Sequence, residues 1–228
     1  MSALPPELEG FNGTAPLFPL PNLVLFPRVV QPLHIFEPRY REMVSDALEG
    51  NRLVAMALIS PGSSDNGTPS LFPHVCLGRI TGEERLDDGR FNILLQGLCR
   101  GKILEELPPD KNYRVATIQL LPDQLRPGQE IADRSFREEI IQRLEVIIQK
   151  RSDPQMLEMI RQEQIPLGVL ADVLAYTSGL HPLEAHDLLA EPFVHDRAVH
   201  LLRLLGTFPP PHERKGVGPE FPPPFSLN

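Results

Sequence analysis

The sequence predicts an α+β fold, a curled sheet or β-barrel followed by a C-terminal helical bundle. Three observations carry that expectation. Before residue 121, short β-branched and apolar runs alternate with turn signals at close spacing. After residue 130 the apolar period becomes helical. The change falls within the segment LPDQLRPGQEIADRS, residues 121–135.

In chain order, the runs LVLF (23–26), LVAMALI (53–59), VCLGRIT (75–81), FNILLQG (91–97), CRGKILEEL (99–107) and YRVATIQLL (113–121) read as strands. Asp88-Gly89, between two of them, marks a tight hairpin, because that pair tolerates the positive φ such turns require. One helix is expected within this part. Pro38 suits its first position, where a missing N–H costs nothing, and Gly50 ends it. Tyr40, Met43, Val44, Ala47 and Leu48 then share one stripe. Prolines punctuate the approach to it: Pro16, Pro19 and Pro21 keep the chain extended, Pro27 ends the first strand, and Pro32 sits at a sheet edge or turn.

Beyond residue 130, Asp133 is placed to cap a helix whose Phe136, Ile140, Leu144 and Ile147 line one face, while Glu139 and Arg143 pair at i, i+4. Asp153-Pro154 opens a second helix, Pro166 and Gly179 bracket a third, and Pro182 and Pro192 begin two more. The sequence therefore divides into a sheet domain at 14–123, a bundle of about five helices at 130–206, and a proline-rich disordered or extended tail at 207–228.

Composition narrows the function classes. Twenty-two Lys and Arg stand against thirty Asp and Glu, a net charge of -8 spread over both halves, which repels nucleic-acid phosphates on average. Two cysteines, Cys76 and Cys99, are too few for a secreted disulfide scaffold and lack the spacing of zinc ligands. The start, MSALPPELEG, has no basic n-region or apolar h-region, and no apolar stretch reaches membrane-spanning length. A cytoplasmic protein is expected, with no membrane contact and no cofactor or metal.

No constellation of catalytic groups emerges. His34 and Glu37 lie three apart in a segment that must be extended before Pro38, so they face opposite sides, and Glu37 is better paired with Arg39 or Arg41 or used as a cap. His181 and His186, like His195 and His200, are five apart. That is roughly 140° around a helix, against the i, i+4 of zinc helices, and solvated or helix-terminal roles follow. Cys76 and Cys99 read as buried and inert. The loop PGSSDNGTPS (61–70) reads as a flexible connector or, alternatively, a lip over a peptide groove. Phe221 and Phe225, among the last prolines, suit docking into a partner's pocket.

The stretch LFPLPNLVLFP followed by PLHIFEPRYREMV resembles the N-terminal domain of the ATP-dependent Lon proteases, in the form found in free-standing Lon-N-domain proteins. The likeness continues through DDGRFNILLQGLCRGKILEE and NYRVATIQLLPD, and more weakly into LEAHDLLAEPFVHDRAVHLLRLL. There His186 and Asp187 stand near the family's Lys-Gln positions, and Ala198-Val199 follow Arg197 where the family has an Arg-Leu pair. The resemblance implies a PUA-like β-barrel followed by helices, used in the parent protease to recognise substrate proteins and to help assembly. It does not extend to the protease's ATPase and Ser-Lys modules. The nearest imitation of a phosphate loop, Gly97-Leu-Cys-Arg-Gly101-Lys102-Ile103, has one residue too few and an Ile where a hydroxyl is needed.

The expectation is thus a non-catalytic module that binds unfolded or extended protein segments, or a partner ATPase or protease, with self-association into a homodimer open. Its groove is expected near the sheet–helix junction, and the candidate peptide-binding residues are Phe36, Tyr40 and Met43, with a core role for all three as the competing reading. Alternatives of other classes are a PUA-like RNA-binding module, against which the net charge counts, and an enzyme with a small-molecule pocket.

Overall fold

The computed structural model describes residues 5–65, 68–149, 165–207 and 226–227. A 3-10 turn, Pro6–Leu8, precedes β1 (Thr14–Leu20), β2 (Val30–Ile35), α1 (Pro38–Glu49), β3 (Leu53–Asp65), β4 (Thr68–Arg85), β5 (Phe91–Glu106) and β6 (Val115–Leu121). The helices α2 (Glu130–Gln149), α3 (Leu167–Thr177), α4 (Pro182–Ala190) and α5 (Val194–Thr207) follow, and a two-residue strand, β7, lies at Ser226–Leu227. The second helix expected, from Asp153-Pro154, lies outside the described residues. So does the tail, apart from β7.

Pairing is antiparallel throughout the six long strands except between β1 and β3. The pairings β4–β3, β3–β1, β1–β6, β6–β5 and β5–β4 run in a closed circuit. β2 is attached outside it, against the first half of β5, with Leu33 opposite Ile93 and His34 opposite Asn92.

The apolar runs in β1 and β3 are continuous rather than alternating because both faces are buried. Leu53, Ala55 and Ala57 join Ala15, Leu17, Val75, Leu77, Ala116 and Ile118 in one cluster that draws on all five strands of the circuit and on no α-helix. Alanine is frequent there because strands closed on one another leave little room between them. Val54, Met56 and Leu58 face the other way, into a larger cluster with Phe18, β2, α1 and the helices α2 to α5. Tyr40 meets Phe18 edge-on with ring centroids 4.6 Å apart. The predicted stripe of α1 is the buried one, with Tyr40, Met43, Val44 and Ala47 all facing the core.

Three expectations need correction. LVLF (23–26) is not a strand. Val24, Leu25 and Phe26 are buried, but as an irregular crossing whose main chain touches β5 at Arg28 N, which donates to Gly97 O at 2.8 Å. The strand in this region is β1, and it contains Pro16 and Pro19 rather than following them. The runs 91–97 and 99–107 are one strand, carried through Gly97 by a register shift against β4. Finally, within the polar segment the described residues 61–65 and 68–70 belong to β3 and β4, whose pairing runs out to Asp65 opposite Thr68.

The hairpin at Asp88-Gly89 is present, with Gly89 at φ +80° and its N–H donating to Leu86 O. Gly97 has a stricter reason. A Cβ there would lie 2.1 Å from the carbonyl oxygen of Phe26 and 3.0 Å from Cys76 Sγ, so the crossing segment rests directly on β5 main chain. Gly97→Ala is expected to destabilise the fold by about 1–3 kcal/mol, the usual cost of overpacking, or more because a main-chain atom must move. Urea denaturation checks it, and an unchanged midpoint contradicts the packing described.

Candidate functional site

Strand periodicity sets what β2 and β5 show to solvent. Leu33 and Ile35 of β2, with Phe91, Ile93 and Leu95 of β5, enter the core. The alternate residues Pro32, His34 and, beyond the strand end, Phe36 lie on the opposite face, and the register sets Leu94 against Pro32 and Asn92 against His34. Phe36 and Leu94 are each 40% exposed, and what sets them apart from other exposed apolar side chains such as Leu104 and Leu125 is that they share this face.

The polar residues between them form a chain of hydrogen bonds. Arg90 has only donors, so its contact of 3.2 Å to His34 Nε2 makes that nitrogen the acceptor. His34 Nδ1 then carries the proton and donates to Asn92 Oδ1 at 2.8 Å, while Asn92 Nδ2 donates to Glu84 Oε2 at 2.8 Å. Arg90 is itself held by Asp88, and the His34 ring stacks at 6.3 Å on Phe36. The side chain beside Phe36 is therefore fixed, and Phe36 stands on a preorganised support.

The three residues expected to line a peptide groove are thus separated. Phe36 is at the surface, whereas Tyr40 is 5% exposed and Met43 is wholly enclosed. The helix that begins at Pro38 turns its apolar stripe inward. Glu37 pairs with Arg39, as one of the expected alternatives had it, and its side chain makes no cap bond. Leu94, Asn92 and Arg90 were not singled out by the sequence reading, although the alternation in FNILLQG places 92 and 94 on one face.

At the sheet–helix junction the described residues hold buried charge instead of an apolar groove. Arg100 of β5 donates to Leu189 O at 3.1 Å, to Asp123 Oδ1 at 3.1 Å and, by a short contact, to Asp172 of α3. Arg197 of α5 donates to Asp123 Oδ1 at 2.9 Å and to Glu191 O at 2.8 Å. Its Nε stands 3.2 Å from Asp172 Oδ1, an ion-pair distance without hydrogen-bond alignment. Two arginines and two aspartates balance. Gly168 is required beside them, since a Cβ there would come within 2.4 Å of Asp123 Oδ2. The adjoining cavity, of about 110 Å³, is lined in part by Arg28, Cys99 and Asp172 and is smaller than an ordinary small-molecule pocket.

The remaining candidates are structural. Cys76 and Cys99 are buried free thiols, and burial pushes both up, Cys99 to about 11, so neither is a ready nucleophile. His181 caps α4, accepting from Leu183 N at 3.4 Å while Glu184 returns a bond to its main chain. His195 meets Asp133 at 2.8 Å, and that aspartate therefore ties α2 to α5 instead of capping a helix that begins three residues earlier. His186 is the exception to a solvated or terminal role. α4 packs it under β4, 4.5 Å from Phe72 and 5.9 Å from the His74 ring, with Nε2 unpartnered. Burial lowers its pKa, and the neighbouring His74 lowers it further against the opposing charge of Asp187. His74 is lowered too, by burial and then by Lys102.

Comparison with known proteins places these features. Residues 14–207 match the family model for the ATP-dependent protease La (LON) substrate-binding domain. The Lon protease of Geobacter metallireducens is 27% identical over 177 residues, which are 76% of this chain and 21% of that protein. The chain spans about a fifth of the length of this relative. The N-terminal domain of the Mycobacterium avium complex Lon protease superposes with a TM-score of 0.67 at 16% identity, covering 85% of this chain and 98% of that one. A Lon N-terminal domain protein from Xanthomonas campestris gives 0.58 at 22% identity, covering 86% and 99%. At these identities the two structures establish a shared fold.

Two outcomes follow from the junction. Asp172→Asn leaves two buried guanidinium groups sharing one carboxylate and is expected to cost about 3–5 kcal/mol in denaturant titrations, whereas Asp196→Asn, at the exposed Arg126 pair, is expected to leave the denaturation midpoint nearly unchanged. The folded pKa of His186 lies below the ordinary 6.5, so the unfolded chain binds the extra proton first, and stability present above 6.5 is lost as pH falls below it. The thermal midpoint is expected to drop between pH 7 and 5, and to drop less in His186→Phe.

Proposed function

Because the chain belongs to the LON substrate-binding domain family, we propose that it is a non-catalytic recognition module that holds extended or unfolded segments of other proteins, including segments of a partner ATPase or protease. The observation that carries this reading is the placement of β2. Among the described residues it is the one long strand with no second neighbour among the other five, and its outer edge, which meets only the two-residue β7, ends at the exposed Phe36. An extended segment added at that edge gains main-chain hydrogen bonds, while Phe36 and Leu94 accept its apolar side chains. Tyr40 and Met43 serve the site from beneath, anchoring the helix that follows Phe36.

The same proposal includes the finer reading of the fold: the closed circuit of pairings as a PUA-like barrel, residues 14–123 as its domain and 130–206 as a helical bundle. Supporting it are the circuit itself and the alanine-rich cluster drawn from its five strands. No helix among the described residues is long and apolar enough to cross a membrane.

Phe36→Asp is expected to weaken binding of a reduced, carboxymethylated protein about tenfold, equivalent to about 1.4 kcal/mol, with the thermal midpoint unchanged. Fluorescence anisotropy measures it. Unchanged affinity would remove Phe36 from the site. Met43→Asp is expected to unfold the chain, because it buries a charge in a site with no partner for it.

A further inference from the structure

The outer edge of β2 is occupied in this chain. Ser226–Leu227 runs parallel to it, with Ser226 opposite Leu33 and Leu227 opposite His34. We propose that this segment is an intramolecular occupant of the recognition edge, which a client segment must displace before it binds. The proposal rests on the recognition reading above and adds its regulation.

The edge offers a short slot. Pro32 has no N–H to donate, and from Pro38 the chain is helical, so strand addition is confined to the few residues between them. β7 lies within that span. The donor chemistry of the segment matches: Pro222, Pro223 and Pro224 supply no N–H, and donors resume at Phe225, Ser226 and Leu227. A two-residue pairing is too small to hold a separate peptide well. Covalent linkage changes that, because tethering raises the local concentration of a weak ligand to the order of mM when the linker permits the contact.

A selection rule follows. Backbone pairing alone gains a client little over the segment already seated, so a client prevails by what it adds on Phe36 and Leu94. Extended segments carrying an aromatic or large aliphatic side chain in phase with that face are favoured over polar ones. The occupied edge is also protected from pairing with a second copy of the chain, the hazard of an open strand.

The test uses the full chain. Replacing both Ser226 and Leu227 by proline removes every main-chain donor at the paired positions without touching the core. Affinity for a reduced, carboxymethylated protein, read by anisotropy, is expected to rise about tenfold in the double variant. A synthetic peptide copying residues 219–228, no longer tethered, is expected to displace that client from the variant only at concentrations on the order of mM. Equal client affinity for the two chains overturns the intramolecular occupant while the recognition reading stands. Binding by neither chain overturns the recognition reading itself.

Discussion

A strand hydrogen-bonded on both sides has no main chain left to offer a partner, and the closed circuit of pairings applies that constraint to most of this sheet. β1, β3, β4 and β6 each have two neighbours among the long strands, β5 has three because β2 is added along its first half, and β2 has one. Where recognition by strand addition takes place is therefore decided by closure, before any side chain is considered. In the proposed reading, the outward face of β2 and β5 then supplies specificity through Phe36 and Leu94, beside the hydrogen bonds that join Arg90, His34, Asn92 and Glu84.

Closure depends in turn on what lies on the two faces of the strands. One face packs alanines among leucines, valine and isoleucine, and the other packs aromatic rings, methionines and aliphatic side chains against α1 and the later helices. The helices are oriented on the sheet by a balanced pair of buried arginines and aspartates. Such a group contributes little net stability compared with apolar packing, but it is intolerant of any arrangement in which one charge loses its partner. It fixes α3 and α5 on β5, and the hydroxyl of Tyr176, donating to Gln31 at 2.6 Å, joins α3 to β2 by the same logic. β2 is thus braced from behind by the helical part.

Much of this was legible in the residues. Asp88-Gly89 gave the hairpin because few pairs accept its backbone, and Pro38 with the stripe Tyr40, Met43, Val44 and Ala47 gave α1, since the start signal and the period agree. Phe36, Tyr40 and Met43 read alike in the sequence, as groove-lining or core residues; the structure leaves Phe36 exposed and buries the other two, because the period of two ends and that of 3.6 begins between them. LVLF misled because a buried crossing and a buried strand have the same composition. The charge cluster left a readable mark, a lone Asp172 in the apolar helix LGVLADVLAYT and Arg100 inside a strand, but nothing local says that residues 72 apart will meet. The burial of His186 depends on how α4 lies across β4, which no periodicity encodes.

The central claim is that partners add to β2 and rest on its outward face. Titrating an unfolded, carboxymethylated protein into isotope-labelled chain and following each backbone amide by two-dimensional NMR tests it directly. The account predicts that the resonances of Val30 to Glu37, with Asn92 and Leu94, shift first and most, while those around Arg100, Asp172 and Arg197 stay in place. Shifts centred on the sheet–helix junction, with β2 silent, would contradict it.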